Sequence, residues 1–113
     1  MVSDWPRLDE VWLVFLDPTQ EVETQKTRPC LIVSPNESNR HLRTVIIAPM
    51  TTVERPYPTR VKLTFQGKRG QVALDQIRAV DQGRLVRKLG RISATTAAAV
   101  SGVLVEMFTR HKT

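Results

Sequence analysis

The sequence predicts a small, mostly antiparallel β barrel with α additions, covered by a C-terminal amphipathic helix. Three observations carry that expectation. Short apolar runs rich in β-branched and aromatic residues recur along the chain, separated by proline, glycine and asparagine. One of them, Arg60–Phe65, alternates polar and apolar residues as a strand with one wet face should. After Ser93 the hydrophobic spacing changes from two to three and four, the period of a helix. At 113 residues, 41% hydrophobic and 25% charged, the chain reads as one domain, 1–113, with a modest core.

Taken in order, Glu10–Leu16 is apolar nearly throughout and reads as a strand buried on both faces. Residues 30–33 and 44–48 are two further short runs of that kind. Proline cannot donate a ladder hydrogen bond, so Pro18, Pro29 and Pro35 are expected at strand ends, and Pro49 is expected to end the third strand. Residues 35–40 carry turn chemistry, with two asparagines and a serine able to bond their own backbone. Arg55-Pro56-Tyr57-Pro58 forces an extended link, because a residue before proline is pushed out of the helical region. After Arg60–Phe65, residues 67–70 are expected to turn. A strand then runs from Gln71 through Asp75-Gln76 to Val80, and residues 84–89 form a short helical turn closed by Gly90. Ser93 is a good N-cap for a helix over 93–110, with Ala97, Val100, Val103, Leu104, Met107 and Phe108 on one face.

Charge narrows the function classes. Over the first 23 residues six carboxylates oppose only Arg7, a net of −5, whereas from 55 to 91 ten lysines and arginines face only Asp75 and Asp81, a net of +8. A basic stretch of that density points to a polyanion, most simply nucleic acid. Aromatic residues are only 5%, too few for a broad stacking platform. The single cysteine, Cys30, permits no internal disulfide and fits a reducing cytoplasm; it reads as a small buried hydrophobe. The N-terminal residues do not read as a signal peptide, and the longest apolar run, 11–16, is too short to cross a bilayer. Neither histidine has a second ligand at a metal-site spacing, so no metal or other cofactor is expected. The polar loop inside 17–35, fixed to strands at both ends and holding Glu21, Glu23, Lys26 and Arg28, is where function is expected to sit.

An ordered set of segments then carries a resemblance: Asp17-Pro18-Thr19, Arg28-Pro29, Ser34-Pro35, Pro49-Met50-Thr51-Thr52, Tyr57-Pro58, and residues 71–78. Together they resemble the MazF/PemK toxins over almost the whole chain. The resemblance implies an SH3-like (CcdB/PemK-like) barrel, usually a homodimer. It implies the toxin of a type II toxin–antitoxin system: a sequence-selective, metal-independent endoribonuclease acting on single-stranded RNA, chiefly mRNA. Cleavage would leave a 2′,3′-cyclic phosphate and a 5′-hydroxyl. A cognate acidic antitoxin would neutralise it, with DNA binding expected of the toxin–antitoxin complex. The family's catalytic arginine falls on Arg28 and its catalytic threonine on Thr51. The acidic loop residue of some members falls on Glu23. An Arg-x-Asp pair used by others is matched only in part, because Asp75 is present but Ala73 stands two positions before it.

The chemistry is consistent with those residues. Attack by a 2′-hydroxyl needs a base, an acid for the leaving 5′-oxygen, and positive charge on the phosphorane. Arg28 offers a planar fork of donors and Thr51 a neutral hydroxyl. Glu23 or Asp75 can take the 2′-hydroxyl proton if its surroundings set its pKa suitably. Lys26, Thr52, Gln76 and Arg78 flank the centre in sequence and are expected to touch bases or phosphates. Two other functions compete: a gyrase poison of the CcdB type, against which stands the lack of a C-terminal tryptophan, and a nucleic-acid-binding barrel without catalysis.

Overall fold

The computed structural model describes residues 5–16 and 26–111. Within them are seven strands and two helices: β1 Glu10–Leu16, β2 Lys26–Ile32, α1 Asn36–His41, β3 Thr44–Thr51, β4 Arg60–Phe65, β5 Lys68–Ala73, β6 Arg78–Asp81, β7 Leu85–Arg91 and α2 Ala94–Phe108. The strands run in the order β4-β5-β3-β2-β1-β7, with β6 also paired to β3. All pairings are antiparallel. The result is an antiparallel half-barrel with a C-terminal helix, the class the sequence predicted.

The central strands are buried on both faces, which explains their unbroken apolar sequence. Val11, Leu31 and Ala48 face one core, shared with Val72, Leu74, Ile92 and Val100 of α2. Val14, Cys30, Ile32, Val45, Ile47 and Val80 form the second core, on the opposite face. The period of two along each strand sorts neighbours such as Cys30 and Leu31 into different cores. Burying Ile47 or Leu31 completely removes each from water, an effect of about 1.5–3 kcal/mol per side chain. Helix α2 begins where Ser93 accepts a hydrogen bond from the Thr96 N–H at 3.1 Å, the N-cap expected of it. Val100 is buried, and Ala97, Val103, Leu104 and Met107 pack on the first core; Phe108, expected on that face, is 69% exposed.

Several local expectations are corrected by pairing that is not local. Pro29 lies within β2, opposite Leu13, rather than at its end. It is tolerated because β2 pairs with β3 only from Cys30 onward, so Pro29 stands at a one-sided position. Pro49 also lies inside its strand. On the edge away from β2, β3 pairs with β6 up to Ile47 and with β5 from Met50, and Pro49 falls in the gap between the two partners. Residues 36–41 form a short helix rather than a turn. Buried Asn39 bonds the Ser34 side chain and carbonyl at 2.6 and 3.0 Å, a tertiary use of a residue read as a turn former.

The turn expected at 67–70 comes earlier. Gln66 and Gly67 both have positive φ, 51° and 80°, and form a two-residue hairpin turn with Phe65 opposite Lys68. The long strand read from 71 to 80 is interrupted by a 3-10 turn at Leu74–Gln76, after which β6 pairs with the first half of β3, on the same edge whose last residues β5 uses. Residues 85–91, expected to start as a helical turn, are a strand on β1. There Lys88 reaches buried Glu10 at 3.3 Å, and the partner strand overrides a helix-tolerant local sequence.

Candidate functional site

The second core ends in polar residues at one end of the half-barrel. Along β2 the side chains on its face read Ile32, Cys30, Arg28; along β3 they read Val45, Ile47, Pro49, Thr51; along β6, Val80, Arg78. The same alternation that buries the apolar members delivers Arg28, Thr51 and Arg78 to a common rim. They line an open cleft of about 720 Å³ with Val53, Arg55, Tyr57, Arg60, Asp75 and Gln76. Arg28, Thr51 and Val53 also line an adjoining, more apolar cleft of about 540 Å³, bounded by Met50, Leu63, Phe65 and Leu89. Arg28 and Thr51 therefore stand on the saddle between two clefts.

Each residue expected at the site can be located. Arg28 is exposed, and among the described residues no carboxylate pairs with it. The Thr51 hydroxyl oxygen accepts the Val53 N–H at 3.0 Å, which orients the side chain and leaves its own proton to donate elsewhere. Asp75, Gln76 and Arg78 line the polar cleft, and Thr52 lines the apolar one. Glu23 and the Lys26 side chain lie outside the described residues. His41 sits at the end of α1 beside Glu37, and His111 beside Glu106; neither lines the clefts.

Asp75 is held firmly. Arg60 donates to it from Nε at 2.7 Å and from Nη2 at 3.4 Å, and the Thr59 hydroxyl donates at 3.1 Å. The Arg60 hydrogen bond holds the Asp75 carboxyl below the usual aspartate range, so near neutrality it is a stable carboxylate and a weak base. The Arg60 guanidinium also lies 5.1 Å from the centre of the Tyr57 ring. Cys30, two residues along β2 from Arg28, is fully buried in the second core. Burial pushes its thiol up to about 12 despite the opposing charges of Arg28 and Arg78.

Sequence reasoning missed Arg60 and Gln71. Gln71 is 1% exposed, and its amide bonds both the N–H and the carbonyl of Arg55, each at 3.1 Å. Its only sequence signal was a polar residue opening an apolar segment. Gly70 is equally silent in sequence, yet a side chain there would meet the Thr51 carbonyl oxygen at 2.5 Å. A glycine lets β5 approach the backbone that carries Thr51. Among the described residues no cluster of His, Cys, Asp and Glu could hold a metal, and no helix is long and apolar enough to cross a membrane.

Comparison with known proteins agrees with this arrangement. Residues 8–108 match the family of PemK-like, MazF-like toxins of type II toxin–antitoxin systems. The chain is 39% identical over 113 residues to the endoribonuclease PemK of Escherichia coli, covering 95% of this chain and 84% of that protein. A crystal structure of MazE–MazF from Deinococcus radiodurans superposes with a TM-score of 0.80 at 26% identity, covering 93% of this chain and 96% of the other. A mycobacterial endoribonuclease in complex with its cognate antitoxin gives 0.75 at 26% identity, covering 89% and 92%. With a family match over most of its length, and a half-barrel that sets an arginine and a threonine on one polar rim, the chain belongs to the PemK-like, MazF-like endoribonuclease toxins of type II toxin–antitoxin systems.

Proposed function

We propose that this endoribonuclease cuts single-stranded RNA, without a metal, by attack of a 2′-hydroxyl on the adjacent phosphate, yielding a 2′,3′-cyclic phosphate and a 5′-hydroxyl. The observation that carries the reading is the shared rim of Arg28 and Thr51, where an exposed guanidinium without a carboxylate partner among the described residues stands beside an oriented hydroxyl. Arg28 binds the phosphoryl oxygens in a fork and neutralises charge as the phosphorane forms. Thr51 donates a further hydrogen bond to the same group.

Asp75 acts mainly by holding Arg60 in the cleft, since a carboxylate paired this way takes up a proton poorly. Proton removal from the 2′-hydroxyl then falls to another group, for which Glu23 is the candidate. Arg55, Arg60, Arg78 and Lys26 supply charge along the strand, with Gln76 and Thr52 as polar contacts. An acidic segment of a cognate antitoxin, in the cytoplasm, would compete for this basic cleft, and the toxin would act as a homodimer.

Incubating the purified protein with a mixed-sequence RNA in EDTA and mapping the ends tests the reading. Discrete cuts with cyclic-phosphate termini support it; tight binding with intact RNA would point to a binding module instead. Binding should also weaken steeply with salt, as contacts to phosphates require.

A further inference from the structure

The segment between β3 and β4, residues 52–59, walls both clefts: Thr52 and Val53 face the apolar one, and Val53, Arg55 and Tyr57 face the polar one. It contains no helix or strand, and two prolines limit its local hydrogen bonding. Its ends are tied by the Thr51 hydroxyl, which accepts the Val53 N–H, and by the Leu74 N–H, which donates to the Thr59 carbonyl; its middle is tied by Gln71. The Gln71 side-chain oxygen accepts the Arg55 N–H, and its amide nitrogen donates to the Arg55 carbonyl, so one side chain engages the peptide groups as a neighbouring strand would. The same oxygen lies 3.4 Å from Nη1 of Arg60, which ties the clamp to the Arg60–Asp75 pair. In the backbone, Gln71 is the β-ladder partner of Thr51. One buried residue thus links the strand position that carries Thr51 to the loop four residues further on.

We propose that Gln71 is a positioning residue that fixes the 52–59 loop against the Arg28–Thr51 saddle and thereby sets which nucleotides are accepted beside the cut. The inference rests on the cleavage reading above. Gln71 itself does not touch the phosphate. With the clamp intact, Arg55 and Tyr57 present one fixed surface to the RNA. Without it, the loop samples several positions, and the match between loop and substrate is lost.

The test compares wild-type protein with Gln71→Leu, which removes both clamp bonds, and Gln71→Glu, which retains the acceptor alone and keeps the size. Two quantities are read. The first is amide hydrogen exchange at Arg55, which needs no RNA. The clamp predicts protection in wild type, at least tenfold faster exchange in Gln71→Leu with the amides of β2 and β3 still protected, and an intermediate rate in Gln71→Glu. The second is the distribution of cut sites on a random RNA pool. The cut word should broaden, and cleavage at the wild-type word should fall about 10–100-fold, the scale on which small misplacements act.

A merely destabilised protein would cut the same word with fewer active molecules, so a broadened word separates positioning from stability. Unchanged exchange at Arg55 overturns the clamp. Faster exchange with an unchanged cut word overturns its role in selection. A wild-type protein that fails to cut RNA sinks the cleavage reading instead, and Arg55 exchange still decides whether the clamp exists.

Discussion

Two arginines line the same cleft in opposite surroundings. Arg60 begins β4 with its side chain only 7% exposed, forked onto Asp75 and set against the Tyr57 ring. Its donors are committed within the protein. Arg28 is exposed on β2. Among the described residues no carboxylate engages its donors, and on the proposed reading they take an incoming phosphate. On that reading, residue type and cleft membership do not define a phosphate-binding group; the number of donors left uncommitted does.

The largest effect that could break this contrast is catalytic. Arg28→Ala should lower cleavage by about 10²–10³, the usual cost of one charge-stabilising donor. Its thermal unfolding should stay within about 0.5 kcal/mol of wild type, as for an exposed side chain. Equal losses of stability in Arg28→Ala and Arg60→Ala would remove the distinction. Arg28→Lys should recover little, because a point charge cannot reproduce the fork.

Next in size is Gly70→Ala. An added methyl cannot sit 2.5 Å from the Thr51 carbonyl oxygen, so β3 and β5 must part and carry Thr51 with them. Cleavage should fall by about tenfold or more, as expected for a displaced group, and the Val53 amide should lose protection from exchange. Retained activity would mean that the position of Thr51 is not critical.

The Arg60–Asp75 pair predicts a pH effect on stability. Because Asp75 is held below its unfolded pKa, its contribution is fully present above the ordinary aspartate value of about 3.9 and is lost as pH falls through the lower folded value. Glu10 acts in the same direction. Burial alone would raise its pKa, but the Arg7 N–H, the Trp12 indole and Lys88 together bring it below the ordinary value. Melting temperature should therefore drop on acidification below about pH 4. Asp75→Asn should flatten part of that slope. An equal slope in wild type and Asp75→Asn would show that the pair contributes nothing to it.

The smallest effect concerns the second core beside the cleft. Cys30 is fully buried with its thiol pushed up to about 12, so a thiol reagent should label it only on unfolding. Labelling of the native protein at the rate of a free thiol would show that this core opens.

Much of the fold was legible from local pattern. Glu10–Leu16 and Arg60–Phe65 matched their strands, and Ser93 capped the last helix, because composition and spacing act within a few residues. The expected site residues Arg28 and Thr51 were named from motif resemblance, and period two along β2 and β3 then brings both to one rim. The strand positions of Pro29 and Pro49 and the strand β7 could not be read this way. Whether a missing N–H matters depends on what lies alongside it, and a neighbour in a sheet can come from anywhere in the chain.

The sequence by itself determined the class of fold, the basic character of its second half, and the residue types able to handle a phosphodiester. Tertiary structure alone decided how those groups are used. Arg60 is committed to Asp75, Gln71 to the Arg55 backbone, and Gly70 to the approach of Thr51, each across a separation of 15 or more residues. Hydrogen bonds and close contacts require distances of a few ångströms, and register between strands, which no local pattern encodes, is what brings such groups within reach.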